Sequence, residues 1–234
     1  MKAFGTLGAL LALVFVSSAG AVSINEIRID QPGDNNDEYF ELAGTADESL
    51  DDLTYLVIGD LGGSGPAYSG AIECVISLSG LSIPADGYFL AAETTFSLGG
   101  VVDLTTSINF ENSDNVSHFL VKDFTGTLDD DLDTDNDGTL DITPWSAVID
   151  NIAVVENLTT PPSGQEWWYG PTVGPNGSEP PHHVYRYPNG SGPWHMGISD
   201  PSGPLDTPGT ANIPEPATFV LLGLGGLMLR RRRT

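Results

Sequence analysis

Short apolar runs, separated by Gly, Pro, Asp and Asn, recur along the chain, and two of them alternate with polar residues. Ser23 to Ile29 and Tyr39 to Leu42 carry apolar side chains on one strand face and polar ones on the other. This pattern predicts an antiparallel β-sandwich or barrel. The strands are expected at Val22–Ile29, Glu38–Leu42, Thr54–Ile58, Ala71–Leu78, Gly87–Ala92, His118–Val121, Ala147–Val155 and Val184–Tyr187.

Two segments lack this pattern and are predicted to be loops. Residues 129–141 form an acidic insert, DDDLDTDNDGTLD, and residues 157–182 are rich in Pro, Gly and Thr. We find no composition break that would divide residues 22–212, so one domain is the simplest interpretation.

Two uncharged apolar segments lie outside this region. Phe4 to Val16 follows Lys2 and precedes the small residues SSAGA, which is typical of a secretory signal peptide, here residues 1–21. The second segment, Ala217 to Leu229, precedes four arginines. As a helix it would be about 20 Å long, against about 30 Å for the hydrocarbon core of a membrane. The segment is therefore predicted to form a short hydrophobic helix that is too short to cross the membrane as a permanent, well-matched span.

The C-terminal tail, residues 213–234, combines this apolar run with Pro214-Glu215-Pro216 before it and Arg230, Arg231, Arg232 and Arg233 after it. The combination resembles the PEP-CTERM sorting signal of Gram-negative bacteria. The resemblance implies that an exosortase, a membrane cysteine protease-transpeptidase, recognises Pro214, Glu215 and Pro216. It also implies at least transient membrane contact, and export to the cell surface, outer envelope or extracellular matrix. An ordinary tail anchor is the alternative.

The charge of the chain is strongly acidic, with 32 Asp and Glu against 8 Lys and Arg and a formal net charge of -24. Five of the cations belong to the two terminal segments, so residues 22–213 hold only Arg28, Lys122 and Arg186. Phosphate binding needs clustered cations, which argues against nucleic acid as a partner. The single Cys74 excludes an intramolecular disulfide and is interpreted as a small buried hydrophobe.

A candidate calcium site lies in the acidic insert, where residues 133–141 have the form D-x-D-x-D-G-x-x-D. Carboxylates two residues apart in a turning loop can converge on Ca²⁺, and Gly at the sixth position permits the bend. The loop resembles EF-hand calcium loops, but Pro144 occupies the position of the closing Glu. The expected ligands are the side chains of Asp133, Asp135, Asp137 and Asp141 and the carbonyl of Thr139. A solvated acidic loop without an ion is the alternative.

Aromatic residues late in the chain offer two interpretations. Trp167, Trp168 and Trp194, if exposed, could stack on sugars, as in a secreted carbohydrate-binding module. If buried, they would close the end of the sandwich, which we favour. The histidines lack zinc-ligand spacing, and no Gly-x-Ser-x-Gly nucleophile motif is present. A secreted hydrolase with a carboxylate site is the remaining enzyme alternative.

The domain itself resembles bacterial lamin-tail-like domains, through INEI at 24–27, DEYFEL at 37–42, IPADGYFLAA at 83–92, DNVSHFLV at 114–121 and TPGTAN at 207–212. The resemblance implies a single immunoglobulin-like β-sandwich that is a binding or structural module without catalytic machinery. Glu26, Glu38 and Glu41 match the family outline and are candidate site residues on that resemblance, but we expect them to be strand carboxylates on a solvated face. The prediction is an exported, non-enzymatic surface or exopolysaccharide-matrix protein.

Overall fold

The computed structural model describes residues 21–213, except 35, 61, 64 and 204. The predicted signal peptide, apart from Ala21, and the tail from Pro214 onward lie outside the described residues. Within the described part, one 3₁₀ turn (Pro66–Tyr68) accompanies the strands, and no helix has the length and apolar content needed to cross a membrane. The strands are Ser23–Arg28 (β1), Tyr39–Ala43 (β2), Leu53–Asp60 (β3), Ser69–Ser77 (β4), Tyr88–Ala92 (β5), Leu104–Thr105 (β6), Val116–Lys122 (β7), Ala147–Val154 (β8), Thr172–Val173 (β9), His183–Arg186 (β10) and Trp194–Met196 (β11).

These strands form two sheets, which confirms the predicted all-β fold. The first sheet has the order β11-β10-β1-β2-β5-β6 and the second β4-β3-β7-β8-β9. The pairing of β1, β2 and β5 in one sheet and of β4, β3, β7 and β8 in the other follows the strand order of immunoglobulin-type sandwiches. All eight strands predicted from the sequence are present, whereas β6, β9 and β11 were not predicted.

The main core lies between the two sheets and is made of their inward-facing aliphatic and aromatic side chains. Phe40 of β2 stacks on Tyr55 of β3 with ring centroids 3.7 Å apart, so one contact joins both sheets. Cys74 is half-buried against this core and forms no disulfide. Burial of such apolar surface is the dominant stabilising contribution to a fold of this size.

A bulge in β1 explains how its apolar residues share one face. In strict alternation Ile24 and Ile27 would point to opposite sides of the sheet. The register of β1 against β2 shifts between Ile24 and Glu26, and both isoleucines join the main core.

The outer faces of both sheets are also covered. Tyr39 and Leu90 on the outside of the first sheet pack with Phe96 and Leu98 of the following loop. On the second sheet, Leu132 of the acidic insert packs with Phe119 and other buried side chains. The long loops therefore act as covering layers, and residues of β1 and β2 are buried on both faces.

Candidate functional site

A buried polar network lies on the outer face of the first sheet, with Glu26 at its centre. The Glu26 side chain has no exposed surface. Its Oε1 accepts hydrogen bonds from the Tyr39 hydroxyl at 2.5 Å and from the backbone N–H of Thr207 at 3.0 Å, and it lies 2.8 Å from His183 Nε2. The Thr207 hydroxyl donates to Oε2 at 2.9 Å. Glu26 thus joins three strands to a segment about 180 residues later in the chain.

Four charged groups are enclosed in this network. Arg28 of β1 forms an ion pair with Asp206, and both side chains are 1% exposed. Asp206 Oδ1 also lies 3.1 Å from His183 Nδ1. With His183 protonated, two cations and two anions balance, which is the condition for enclosing charges in a low-dielectric interior.

The pKa shifts agree with a protonated His183. Burial lowers its pKa, but the hydrogen bond to Glu26 and the charges of Glu26 and Asp206 outweigh this, and the pKa is raised above its usual value. Burial raises the pKa of Glu26, but the hydrogen bond and charge of His183, together with the Tyr39 and Thr207 bonds, lower it below its usual value. The pair is therefore an ion pair near neutral pH.

The closing segment, residues 206–212, is fastened to the sheet at further points. Gly209 N donates to Glu41 Oε2 at 2.6 Å, and burial raises the pKa of Glu41 well above its usual value. The Asn212 side chain donates to the carbonyls of Asn25, at 3.2 Å, and Arg186, at 2.9 Å, and Asn212 is 3% exposed. The folded structure is thus held by side-chain bonds up to Asn212.

The expectation that Glu26, Glu38 and Glu41 lie on a solvated face is wrong, because each is at most 1% exposed. The closing segment covers Glu26 and Glu41, whereas Glu38 Oε2 accepts from the backbone N–H of Phe110 at 2.8 Å. All three carboxylates fasten later segments of the chain to the first sheet. The local sequence pattern could not show which later segments cover these side chains.

The comparison with protein families finds a known signal that begins at the last residue of the closing segment. Residues 212–233 match the model of the PEP-CTERM protein-sorting motif. This is an exported, cell-surface-targeted bacterial protein sorted by an exosortase. The matched range contains the recognition residues predicted above and the four arginines. No curated protein and no solved structure matches the chain.

The acidic insert brings together three of the four carboxylates predicted as calcium ligands. Ligand oxygens of Asp133, Asp135 and Asp141 lie within 4.8 Å of one another, and the group does not include Asp137. Gly138, at the sixth position, has a φ of 87°, as the predicted sharp bend requires. The loop is also closed by its own hydrogen bonds, since Thr134 donates to Asp141 from both its backbone N–H, at 2.9 Å, and its hydroxyl, at 2.6 Å.

Asp133 differs from its neighbours because it is fully buried. Its Oδ2 accepts from the Tyr169 hydroxyl at 2.7 Å and from the backbone N–H of Gly138 at 2.9 Å. Asp133 therefore anchors the loop to the second sheet as well as facing Asp135 and Asp141. Sequence spacing found this loop but gave no sign of the tyrosine that holds it.

The three tryptophans proposed for sugar stacking are all half-buried. Trp167 Nε1 donates to the Asn136 carbonyl at 2.7 Å, and its ring lies 6.2 Å from that of Trp168. Trp194 lies under the guanidinium of Arg186 at 4.6 Å. Trp167 thus supports the acidic insert, and each of the three keeps part of its surface in contact with solvent.

Proposed function

We propose that the folded body is a non-enzymatic module, which exosortase-dependent sorting displays at the cell surface or in the exopolysaccharide matrix of a Gram-negative-type bacterium. The sorting motif at residues 212–233 is the observation that carries this proposal. The buried network supports it, because its carboxylates are occupied by bonds within the fold: Glu26 binds Tyr39, His183 and Thr207. Groups bound in this way hold the fold together and are not available to a substrate.

A lamin-tail-like module is the class that we favour for the body. The immunoglobulin-type strand order and the closing segment Thr207-Pro208-Gly209-Thr210-Ala211-Asn212 support this assignment. A broad screen of the purified protein for hydrolase activity is expected to show no turnover. Turnover that disappears in a carboxylate variant would instead support the hydrolase alternative.

The sorting part of the proposal is tested by the intact mass and location of the protein in hosts with and without the exosortase. We expect Arg230 to Arg233 to be absent from the exported protein only when the exosortase is present. The matched control replaces Pro214 and Pro216 with Ala, which should keep the arginines in both hosts. Retention of the arginines by the unaltered protein in both hosts would contradict the proposal. The apolar segment at 217–229 would then act as a lasting membrane anchor.

Calcium binding by the acidic insert is a second part of this proposal. Three converging carboxylates and the bend at Gly138 favour it. Calorimetric titration with Ca²⁺ should show heat that is reduced in Asp135→Asn, which leaves the anchoring bonds of Asp133 in place. Equal heats in both proteins would contradict calcium binding at this loop.

Polysaccharide is the partner that we propose for the tryptophan surface formed by Trp167 and Trp168. Adjacent, partly exposed rings offer faces on which sugars can stack. Retardation on polysaccharide gels should weaken in Trp168→Ala. Unchanged retardation would argue against stacking at this surface.

A further inference from the structure

A second group of carboxylates gathers at one end of the second sheet, far along the chain from the acidic insert. Asp60 ends β3, Glu73 lies on β4, Glu111 and Asp114 precede β7, and Glu166 lies in the long loop before β9. Ligand oxygens of Asp60, Asp114 and Glu166 lie within 4.8 Å of one another. Those of Asp60, Glu73 and Glu111 do the same, so Asp60 belongs to both groups. We call these five side chains the loop carboxylate cluster.

The ion pairs of the described residues leave this cluster without a basic partner. Arg28 pairs with Asp206 and Arg186 with Asp150, and the histidine pairs involve other carboxylates. The cluster consequently repels itself. Burial, with the charges of neighbouring carboxylates, raises the pKa of Glu166 to about 8, that of Glu73 to about 7 and that of Asp114 to about 6.

Glu166 adds an independent observation. This residue is 1% exposed, and its buried Oε2 accepts no bond from an N–H or hydroxyl group of the described residues, although its carboxyl group lies within hydrogen-bonding reach of the Asp114 carboxyl. Its Oε1 accepts from the backbone N–H of Gly65 at 2.7 Å, which fixes the orientation of the carboxylate. A buried carboxylate oxygen without a donor is costly unless a cation or a proton satisfies it.

The surrounding backbone is built to hold these side chains. Glu73 Oε1 accepts from the backbone N–H of Asp60 at 2.9 Å, and the Glu73 carboxylate lies over Gly59, where a Cβ would stand 2.5 Å from Oε2. The buried Asn115 donates to the Glu166 carbonyl at 2.8 Å and accepts from the Glu156 N–H at 2.9 Å. A backbone N–H therefore orients the Glu73 carboxylate, and Asn115 fixes the backbone at Glu166.

We infer that the loop carboxylate cluster is a divalent-cation site, in which Asp60, Asp114 and Glu166 bind one Ca²⁺. Charged oxygen ligands select hard cations, and the absence of His and Cys from the cluster disfavours zinc. Ca²⁺ accepts irregular arrangements of six to eight oxygens, whereas Mg²⁺ demands a near-ideal octahedron. Ligands drawn from three separate segments of the chain favour the more tolerant ion.

Such an ion would crosslink the end of β3 and the adjacent segment before β7 to the loop around Glu166, close to the tryptophan surface. Neutralising the cluster would also remove the repulsion among its carboxylates. Calcium would then stabilise the end of the sandwich on which Trp167 and Trp168 lie.

The test is calorimetric titration of the exported protein with CaCl₂, alongside Glu166→Gln and Asp135→Asn. The Gln side chain can still accept the bond from Gly65, so the fold should persist. We expect a dissociation constant on the order of 10⁻⁴ to 10⁻³ M, as in extracellular calcium modules. Loss of the charge of Glu166 should lower the Ca²⁺ affinity of the loop carboxylate cluster by about tenfold or more. Asp135→Asn should leave it intact, because Asp135 belongs to the other loop.

Three results would overturn the inference. The first is that Glu166→Gln and Asp114→Asn both keep the affinity and stoichiometry of the unaltered protein. The second is that all Ca²⁺ binding vanishes in Asp135→Asn. The third is that Ca²⁺ leaves the melting temperature of the unaltered protein unchanged while Glu166→Gln raises it without calcium, which would show a carboxyl pair held by a shared proton.

Discussion

Replacement of Arg28 with Met tests whether the buried network stabilises the fold. The side chains of Arg28 and Asp206 are each 1% exposed. Met would remove the ion pair and the two other Arg28 bonds, to Gln31 Oε1 and to the Asp200 carbonyl, both at 2.9 Å. Removal of one partner from a buried ion pair typically costs about 3 to 5 kcal/mol, because the other charge is left uncompensated. That is a large part of the roughly 5 to 15 kcal/mol that stabilises an ordinary domain.

The cost should depend on pH. Burial already raises the pKa of Asp206, in spite of Arg28 and His183. Without the guanidinium this pKa should rise further, and the folded state would bind a proton more tightly than the unfolded state. A raised folded-state pKa of an acid means that stability falls as the pH rises through it. The loss of unfolding free energy caused by Arg28→Met should therefore be larger at pH 8 than at pH 5.

Urea unfolding followed by tryptophan fluorescence measures this difference. The matched control is Lys122→Met, which removes an exposed cation and should change the free energy of unfolding by no more than about 0.5 kcal/mol. A double-mutant cycle with Asp206→Asn isolates the pairwise contribution. A loss below about 1 kcal/mol for Arg28→Met, equal at both pH values, would refute the reasoning.

Two further predictions concern other parts of the fold. Without calcium, the free energy of unfolding should fall between pH 5 and pH 8. The reason is that the pKa values of Asp114, Glu73 and Glu166 are raised to about 6, 7 and 8, so the folded state keeps these protons to a higher pH than the unfolded state does. Urea titrations in the presence of a chelator that show no decline between the two pH values would contradict this. Phe40→Ala should cost about 3 to 5 kcal/mol of stability, whereas Val101→Ala, at a side chain 74% exposed, should change it little and serves as the control.

The strands could be predicted because their signal is local. β2 alternates from Tyr39 to Leu42, β1 has Ile24 and Ile27 among polar residues, and Gly, Pro, Asp or Asn residues follow both strands. β6 and β9 have two residues each, too few for any period to be recognised. Their pairing depends on where the sheets bring them, which no local pattern contains.

The candidate sites, like the strands, could be predicted only where their residues lie close together in the sequence. The acidic insert was found because its carboxylates are nearly contiguous, from Asp133 to Asp141. The loop carboxylate cluster was missed because its members are spread from Asp60 to Glu166. One signal for the buried network was present in the sequence: Arg28 is a rare cation among apolar strand residues of a very acidic chain. A cation in that position suggests a buried partner, although not which of the 31 Asp and Glu residues between positions 22 and 213 it is.

The attachment point of the sorting signal has a mechanical consequence for processing. Asn212 is 3% exposed and bonded to two backbone carbonyls, so only Ile213 separates the fixed structure from Pro214. A protease that recognises Pro214 to Pro216 must therefore work close to a folded body. Insertion of about ten Gly and Ser residues after Ile213, which would span about 17 Å on average, should speed processing. Glu26→Gln weakens the bonds that hold Thr207 and should speed processing less than the insertion does. Equal processing rates in the unaltered protein, the insertion variant and Glu26→Gln would show that the folded body offers no obstacle to the protease.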